Sequence, residues 1–329
     1  MSRKGWIKMV KSMFSGVAGL RLHQQKMDVI GNNIANVNTY GYKSYSTTFQ
    51  DSMYMNALNS SAGVTTNGGY GGVNASQVGY GVKLGSISAN FSQGGASPTD
   101  RGLDCMIDGS GFFIVGPMKD GTGTSVVTNK TMASSGLSLS RVGQFYVDSN
   151  GYLVDSQRNY VYGYPATKTG NTGKAEDYTV PDTSVTNADN YKLEPLRIPL
   201  QSNGKDRYEL QSYTISQDGT ISGVIVGGDE ANKVVTLGKI ALASVENPDG
   251  LEKTVGFYYR PGDNAGTIVP QATAGGQLGD IKGGYLEMAN VDLAKEFSDM
   301  ITTQRGFQAN SKIITVTDEM LQELVNMKR

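Results

Sequence analysis

Residues 290–328, "NVDLAKEFSDMITTQRGFQANSKIITVTDEMLQELVNMK", decide the architecture of the chain. Leu293, Phe297, Met300, Gln304, Phe307, Ser311, Ile314, Asp318, Leu321 and Val325 recur along it at alternating steps of four and three. Such steps bring a residue back to one stripe every 3.5 positions or so, which predicts a helix whose apolar seam lies along a partner helix. As a helix the stretch is roughly 58 Å long at about 1.5 Å per residue. Asn290 is placed to cap its start, Asp292 suits its first turn, and Lys328 and Arg329 suit its last. A helix this long with no internal stop reads as a coiled-coil element rather than a globular helix.

The same rhythm occurs at the other end. Met13, Val17, Leu20, Gln24, Met27, Gly31 and Ile34 form a second seam, in which Gln24 and Gly31 are weak members. It runs into "NNIANVNTYGYKS", residues 32–44. There Asn36, Asn38 and Gly41 accept left-handed backbone, so the helix is expected to end. Further apolar residues flank both seams: Ile30, Ile301, Ile313, Val316, Met320 and Leu324. One helix pair cannot cover them all, so the surplus is expected to meet other copies of the chain. Residues 1–8 read as an upstream extension, because Met9 or Met13 would also serve as a start.

Between the helices the texture is β. "CMIDGSGFFIV" reads as a hairpin around Gly109–Gly111, "QFYVDSNGYLV" as a second around Ser149–Gly151, and "YTISQDGTIS" as a third around Asp218–Gly219. "LGKIALASV" is a further strand, closed by "NPDG". Glycine makes up 43 of 329 residues, about twice the usual share, which suits many tight turns. The expected fold class is α+β: long terminal helices form a coiled-coil inner domain around an antiparallel, sandwich- or barrel-like middle. Its divisions are an N-terminal helix over 1–38, an extended linker over 39–62, β segments over 63–166 and 207–285, a linker or reduced outer insertion over 167–206, and a C-terminal helix over 286–329. Residues 60–80, rich in Gly, Ser and Asn, read as a mobile surface loop.

Little in the chain points to chemistry. A net charge of −1 gives no field to draw nucleic acid or an anionic membrane. No run of 18 apolar residues spans a bilayer. The basic, apolar start is broken by Ser15, Gly16 and Gly19, so no cleaved signal peptide is expected. With one cysteine and one histidine, no intrachain disulfide and no Cys/His metal cluster can form. A carboxylate-only metal site stays open, although Asp148–Gly151 carries only a fragment of a calcium loop and reads as a turn. "GYGVKLG" at 79–85 lacks dinucleotide-loop spacing, and His23 lies on a helix far from any nucleophile. Cys105 alternates through an apolar strand as a core residue. No catalytic, cofactor-binding or metal-binding residue is singled out.

Three stretches carry a resemblance. "MFSGVAGLRLHQQKMDVIGNNIANVNTYGYK", "GLDCMIDGSGFFIV" and "GGYLEMANVDLAKEFSDMITTQRGFQANSKIITVTDEMLQELVNMKR" resemble the signatures of the rod and hook proteins of the bacterial flagellum, with Cys105 where that family usually has an apolar residue. Within it, "ANVDLAKEF", "QRGFQAN", "GYPAT" at 163–167 and the terminal "ELVNMKR" look more like the hook branch than the distal rod branch. Only about 40 residues, 167–206, stand where a hook protein carries its outer β domain, so the resemblance is to a short form.

The resemblance implies a non-enzymatic subunit of a helical homopolymer outside the cell, exported through the flagellar type III channel and acting as a universal joint. Its implied partners are its own copies, the distal rod protein, the hook cap and the hook–filament junction proteins. The residues expected to pack subunits together are Met13, Val17, Leu20, Met27, Ile34, Leu293, Phe297, Met300, Phe307, Ile314, Leu321 and Val325. Some of Gln24, Gln25, Asn32, Asn33, Gln304, Gln308 and Asn310 would then line a channel. A distal rod subunit, a glycan-binding β-module on coiled-coil stalks and a hydrolase with an unrecognised site remain as alternatives.

Overall fold

The computed structural model describes residues 3–63, 70–118, 136–168, 178–179, 193–197, 209–226, 233–266, 268–272 and 278–327. The chain divides into two compact units. One holds residues 1–37, 44–90 and 291–329, and the other 38–43 and 91–290.

In the first unit, helix α1 runs Arg3–Ala35 and helix α2 runs Leu293–Asn326. Asp292, not Asn290, caps α2: its carboxylate accepts from the amides of Ala294 and Lys295. Asn290 instead donates its side-chain amide to Ser92 O and Oγ. Lys328 and Arg329 lie outside the described residues. After α1 comes no plain linker. Strands β1 (Tyr45–Asp51), β2 (Tyr54–Leu58), β3 (Ser76–Gly79) and β4 (Val82–Ala89) follow. β1 pairs antiparallel with β4 and β2 with β3, and a Ser61–Val73 bridge extends the inner ladder. The segment read as a loop over 60–80 is thus partly one arm of a hairpin. Its glycines disguised it, because strand pairing needs only backbone, while the side-chain pattern there is polar.

The second unit holds β5 (Ala96–Pro98), β6 (Cys105–Asp108), β7 (Phe112–Gly116), β8 (Ser138–Ser140), β9 (Phe145–Val147), β10 (Leu153–Asp155) and β11 (Tyr160–Pro165). The short strands β12 (Thr167–Lys168), β13 (Tyr178–Thr179) and β14 (Glu194–Pro195) come next, then β15 (Glu209–Ile215), β16 (Thr220–Val226) and β17 (Val234–Val245). β18 (Leu251–Lys253), β19 (Tyr258–Pro261), β20 (Ile268–Ala272), β21 (Asp280–Gly283) and β22 (Tyr285–Glu287) complete it. All its pairings are antiparallel, and the main path runs β15-β16-β17-β11-β7-β8-β19-β18.

β7 explains the core. All five of its residues are buried. Phe113 and Val115 point into one apolar cluster, with Phe145, Leu153, Ile240 and Ile281. Phe112 and Ile114 point into another, with Leu139, Tyr162, Ala243 and Tyr259. The period-two alternation of a strand feeds both faces, so the sheet has an apolar layer on each side. Burying such side chains stabilises the unit by roughly 1.5–3 kcal/mol each.

Two of the expected hairpins hold: β9 pairs with β10, and β15 with β16 across a turn at Gly219. The third does not. β6 pairs with β21, while β7 pairs with β8, β11 and β17. Gly109 and Gly111, at φ +128° and +131°, carry the chain from one ladder to another. A Gly-Ser-Gly turn fits either path, so the sequence could not decide between them. Part of 167–206 also proves to be core. Leu193 and Leu196 are buried, and β14 pairs with β11. Residues 169–177, 180–192 and 198–208 lie outside the described residues.

Candidate assembly surface

The two helices of the first unit run antiparallel, and small or polar side chains meet between them. An added Cβ at Gly16 would lie 3.3 Å from Ile314 Cγ1, one at Gly19 would lie 2.7 Å from Asn310 Nδ2, and one at Gly306 would lie 2.6 Å from His23 Cε1. Gly16, Gly19, Ile30 and Asn33 on α1 and Thr303 and Thr317 on α2 are buried. Thr303 and Thr317 return their hydroxyls to Asp299 O and Ile313 O, so they present methyl groups with no unpaired polar atom. Glycine on both helices lets the backbones approach closely.

The facing register of α1 is Gly16, Gly19, His23, Lys26, Ile30 and Asn33, one residue before the apolar seam read from sequence. Met13, Val17, Leu20, Met27 and Ile34 are therefore only half-buried, at the flank of the pair. On α2, Met300, Phe307, Ile314 and Leu321 are likewise half-buried. Leu293, Phe297 (51 % exposed) and Val325 (53 %) stand outside the pair. Ile301, Ile313, Val316 and Met320 are exposed on the same helix, as is Phe14 on α1 (66 %). Ile30, counted among the surplus residues, is instead buried at 4 % exposure.

One hydrogen-bonded contact and one packing contact fix the pair, and neither was legible as a motif. Asn33 donates to Tyr45 O at 2.9 Å and to Glu296 Oε1 at 3.0 Å, while accepting from Tyr45 N at 3.0 Å. Burial holds the Glu296 carboxyl above its ordinary range, partly offset by the bond from Asn33. His23 packs on Gly306 and stands edge-on to Phe49 of β1, with ring centroids 5.7 Å apart. Burial, helped by Lys26 one turn on, lowers its affinity for a proton. Asn33 and Asn310 thus serve the helix pair rather than a channel, whereas Gln24, Gln25, Asn32, Gln304 and Gln308 are exposed.

The β2–β3 ladder adds to the apolar surface of this unit. Every residue of both strands is exposed, including Tyr54, Met55, Leu58 and Val78. A two-stranded ladder is marginal in water unless something covers a face.

Burial pushes the Cys105 thiol well above its ordinary range, with Asp104 adding to the effect, so it is held as a thiol inside the core. Among the described residues no group of three His, Cys, Asp or Glu side chains is placed to hold a metal, and no helix is long and apolar enough to cross a membrane.

Comparison with known proteins agrees with the sequence signatures. The family described as "Flagella basal body rod protein" matches residues 13–43, and "Flagellar basal body rod FlgEFG protein C-terminal" matches residues 282–327. The flagellar basal-body rod protein FlgG of Bacillus subtilis is 37 % identical over 322 residues, covering 98 % of this chain and 100 % of its own. The flagellar hook protein FlgE of Borreliella burgdorferi is 28 % identical over 464 aligned residues, covering 97 % of this chain and 100 % of its own. The Escherichia coli hook protein FlgE is 26 % identical, covering 95 % and 98 %. With its two terminal helices joined by an antiparallel β region, the chain belongs to the flagellar rod and hook family of structural, non-enzymatic proteins.

Proposed function

We propose that the chain polymerises into the flagellar hook, a hollow flexible tube that joins the basal-body rod to the filament and transmits torque. The terminal helices pack into inner layers and the β unit forms the wall. Met13, Val17, Leu20, Met27, Ile34, Leu293, Phe297, Met300, Phe307, Ile314, Leu321 and Val325, at the flanks and outer face of the helix pair, meet neighbouring copies. One observation carries this reading: Leu293, Phe297, Ile301, Ile313, Val316, Met320 and Val325 of α2 are exposed, while glycine, threonine and asparagine lie close against α1. A helix that offers its partner small residues and water large ones is built for more than one partner. The β2–β3 ladder supplies a second, different patch, and contacts between unlike patches extend into an open helix when the rotation between copies does not close a ring. Export through the flagellar type III channel without a cleaved signal, passage of later subunits through the bore, and contacts with the distal rod, hook cap and hook–filament junction proteins belong to the same reading.

A distal rod subunit is the second reading. The 37 % identity to a rod protein, over an alignment close to this chain's own length, favours it. The hook-like wording of 289–297 and 304–310 favours the first. Electron microscopy of the purified protein polymerised at high concentration tests both. Curved, bending tubes are expected for the hook and straight rigid ones for the rod. Absence of any tube would overturn the shared proposal.

A further inference from the structure

The second unit encloses three charged side chains in a single cluster. Lys43 is 0 % exposed, Glu287 2 % and Arg141 3 %. The Lys43 ammonium lies 2.7 Å from Glu287 Oε1 and donates to Ser92 O at 2.8 Å. Glu287 Oε1 also accepts from Gly94 N at 2.9 Å. Arg141 Nη1 approaches Glu287 Oε2 at 3.6 Å, its Nη2 donates to Gly109 O at 2.9 Å, and its guanidinium lies over Phe112. Two cations thus share one carboxylate, so the cluster carries a buried excess of one positive charge. Such a group is a poor stabiliser, because desolvation outweighs the attraction. Burial lowers the proton affinity of Lys43; Glu287 opposes that shift and Arg141 adds to it.

The positions of these residues in the chain give the cluster a use. Lys43 is the last residue of the short 38–43 segment, Ser92 comes just after residue 91, where the chain re-enters the unit, and Glu287 just before residue 290, where it leaves for the last time. One ammonium therefore holds all three passages. Around it, Gly41 N donates to Glu287 O at 2.8 Å and Asn290 Nδ2 reaches Ser92. We infer that Lys43 is a positioning residue that pins the register of these three passages, retained for the uniqueness of the arrangement and not for the stability of the β unit. Backbone bonds and Tyr42 under Lys253 also tie residues 38–43 to the unit, and the Lys43 ammonium reaches the passages at Ser92 and at Glu287 at once.

Amide hydrogen exchange on the monomer tests this independently of polymerisation. In Lys43→Met, Glu287 keeps Arg141 as a neutral pair. The Gly41 amide should then exchange at least 100-fold faster than in the native chain. The amides of Phe113 and Leu242 in the central sheet, and the melting temperature of the β unit, should not change. Asn290→Ala, which removes a neighbouring polar contact, should leave Gly41 within threefold of the native rate. Failure of Lys43→Met to fold, a melting temperature that falls with it, an unchanged Gly41 rate, or equal loosening by Asn290→Ala would each overturn the assignment.

Discussion

The side-chain amide of Asn33 pairs with the backbone of Tyr45 as a neighbouring strand would, donating to its carbonyl at 2.9 Å and accepting from its amide at 3.0 Å. Through its second amide hydrogen it reaches Glu296 in the first turn of α2. One side chain in the last turn of α1 thus ties the departing β1 and the returning helix together. Asn33→Asp removes both donors and sets a carboxylate against Glu296. Loss of buried hydrogen bonds should cost about 1–3 kcal/mol. Thermal unfolding followed at the helix signal should shift down accordingly, and Glu296→Gln in the same chain should restore part of the loss. A double variant no better than the single would show that the introduced carboxylate and Glu296 do not repel one another.

The contact of His23 with Gly306 gives a steric prediction. A methyl at Gly306 would lie 2.6 Å from the imidazole, which Phe49 already flanks. Gly306→Ala gains roughly 1 kcal/mol of helix propensity but overpacks a close contact, which costs about 1–3 kcal/mol. The net result should be a weaker helix pair. His23→Ala in the same chain should reverse the sign and leave the propensity gain. Alanine at 306 that stabilises the native chain would mean the ring can move aside.

The same imidazole gives a pH prediction. His23 binds its proton less tightly when folded, first because it is buried and second because Lys26 repels the charge. Phe49 and the Gly306 backbone, which also pack on it, do not titrate. Its contribution is fully present above about pH 6.5 and is lost as pH falls through the lowered folded value. Helix unfolding should therefore move to lower temperature between pH 7 and pH 5, and His23→Gln should flatten that slope. An equal slope in the variant would mean that His23 does not carry it; Glu296 would push the other way, because a carboxyl held above its ordinary range by burial gains stability as pH falls.

Much of this organisation was legible because it rests on periodicity. The two helices, the end of α1 and the Asp218–Gly219 and Asn150–Gly151 turns follow from residue types at fixed spacing. The register of the helix pair did not. A seam search seeks large apolar residues, and here Gly16, Gly19, Gly306 and Thr303 form the contact, so the visible stripe marks its flank. Lys43 and Glu287 are 244 residues apart. Nothing local distinguishes a lysine or glutamate destined for the core from the many on the surface, so the buried cluster could not be read.

That cluster responds differently to each of its members. Removing Glu287 leaves two buried cations unpaired, whereas removing Lys43 leaves a balanced pair. Glu287→Leu should destabilise the β unit by roughly 3–5 kcal/mol. Chemical unfolding followed at the sheet signal measures it. A loss under about 1 kcal/mol would mean that water reaches the cations once the carboxylate is gone.

The final prediction separates residues that hold the subunit together from those proposed to hold subunits to each other. Leu22 is 6 % exposed on α1, so Leu22→Asp buries an unpaired charge and should unfold the helices of the monomer. Phe297, half exposed on α2, gives up little in the monomer when replaced. In the proposed tube each such side chain would be covered by a neighbour, contributing roughly 1.5–3 kcal/mol per phenylalanine, and a carboxylate in its place would be desolvated at every subunit. Phe297→Asp should therefore keep the helix and sheet signals and the melting temperature of the native monomer yet form no tubes. Phe307→Asp and Leu321→Asp, being half-buried against the pair, should lose tubes and also some helix signal, with the sheet signal unchanged. Normal polymerisation of Phe297→Asp would remove this face of α2 from the assembly contacts and leave the β2–β3 ladder as the remaining candidate.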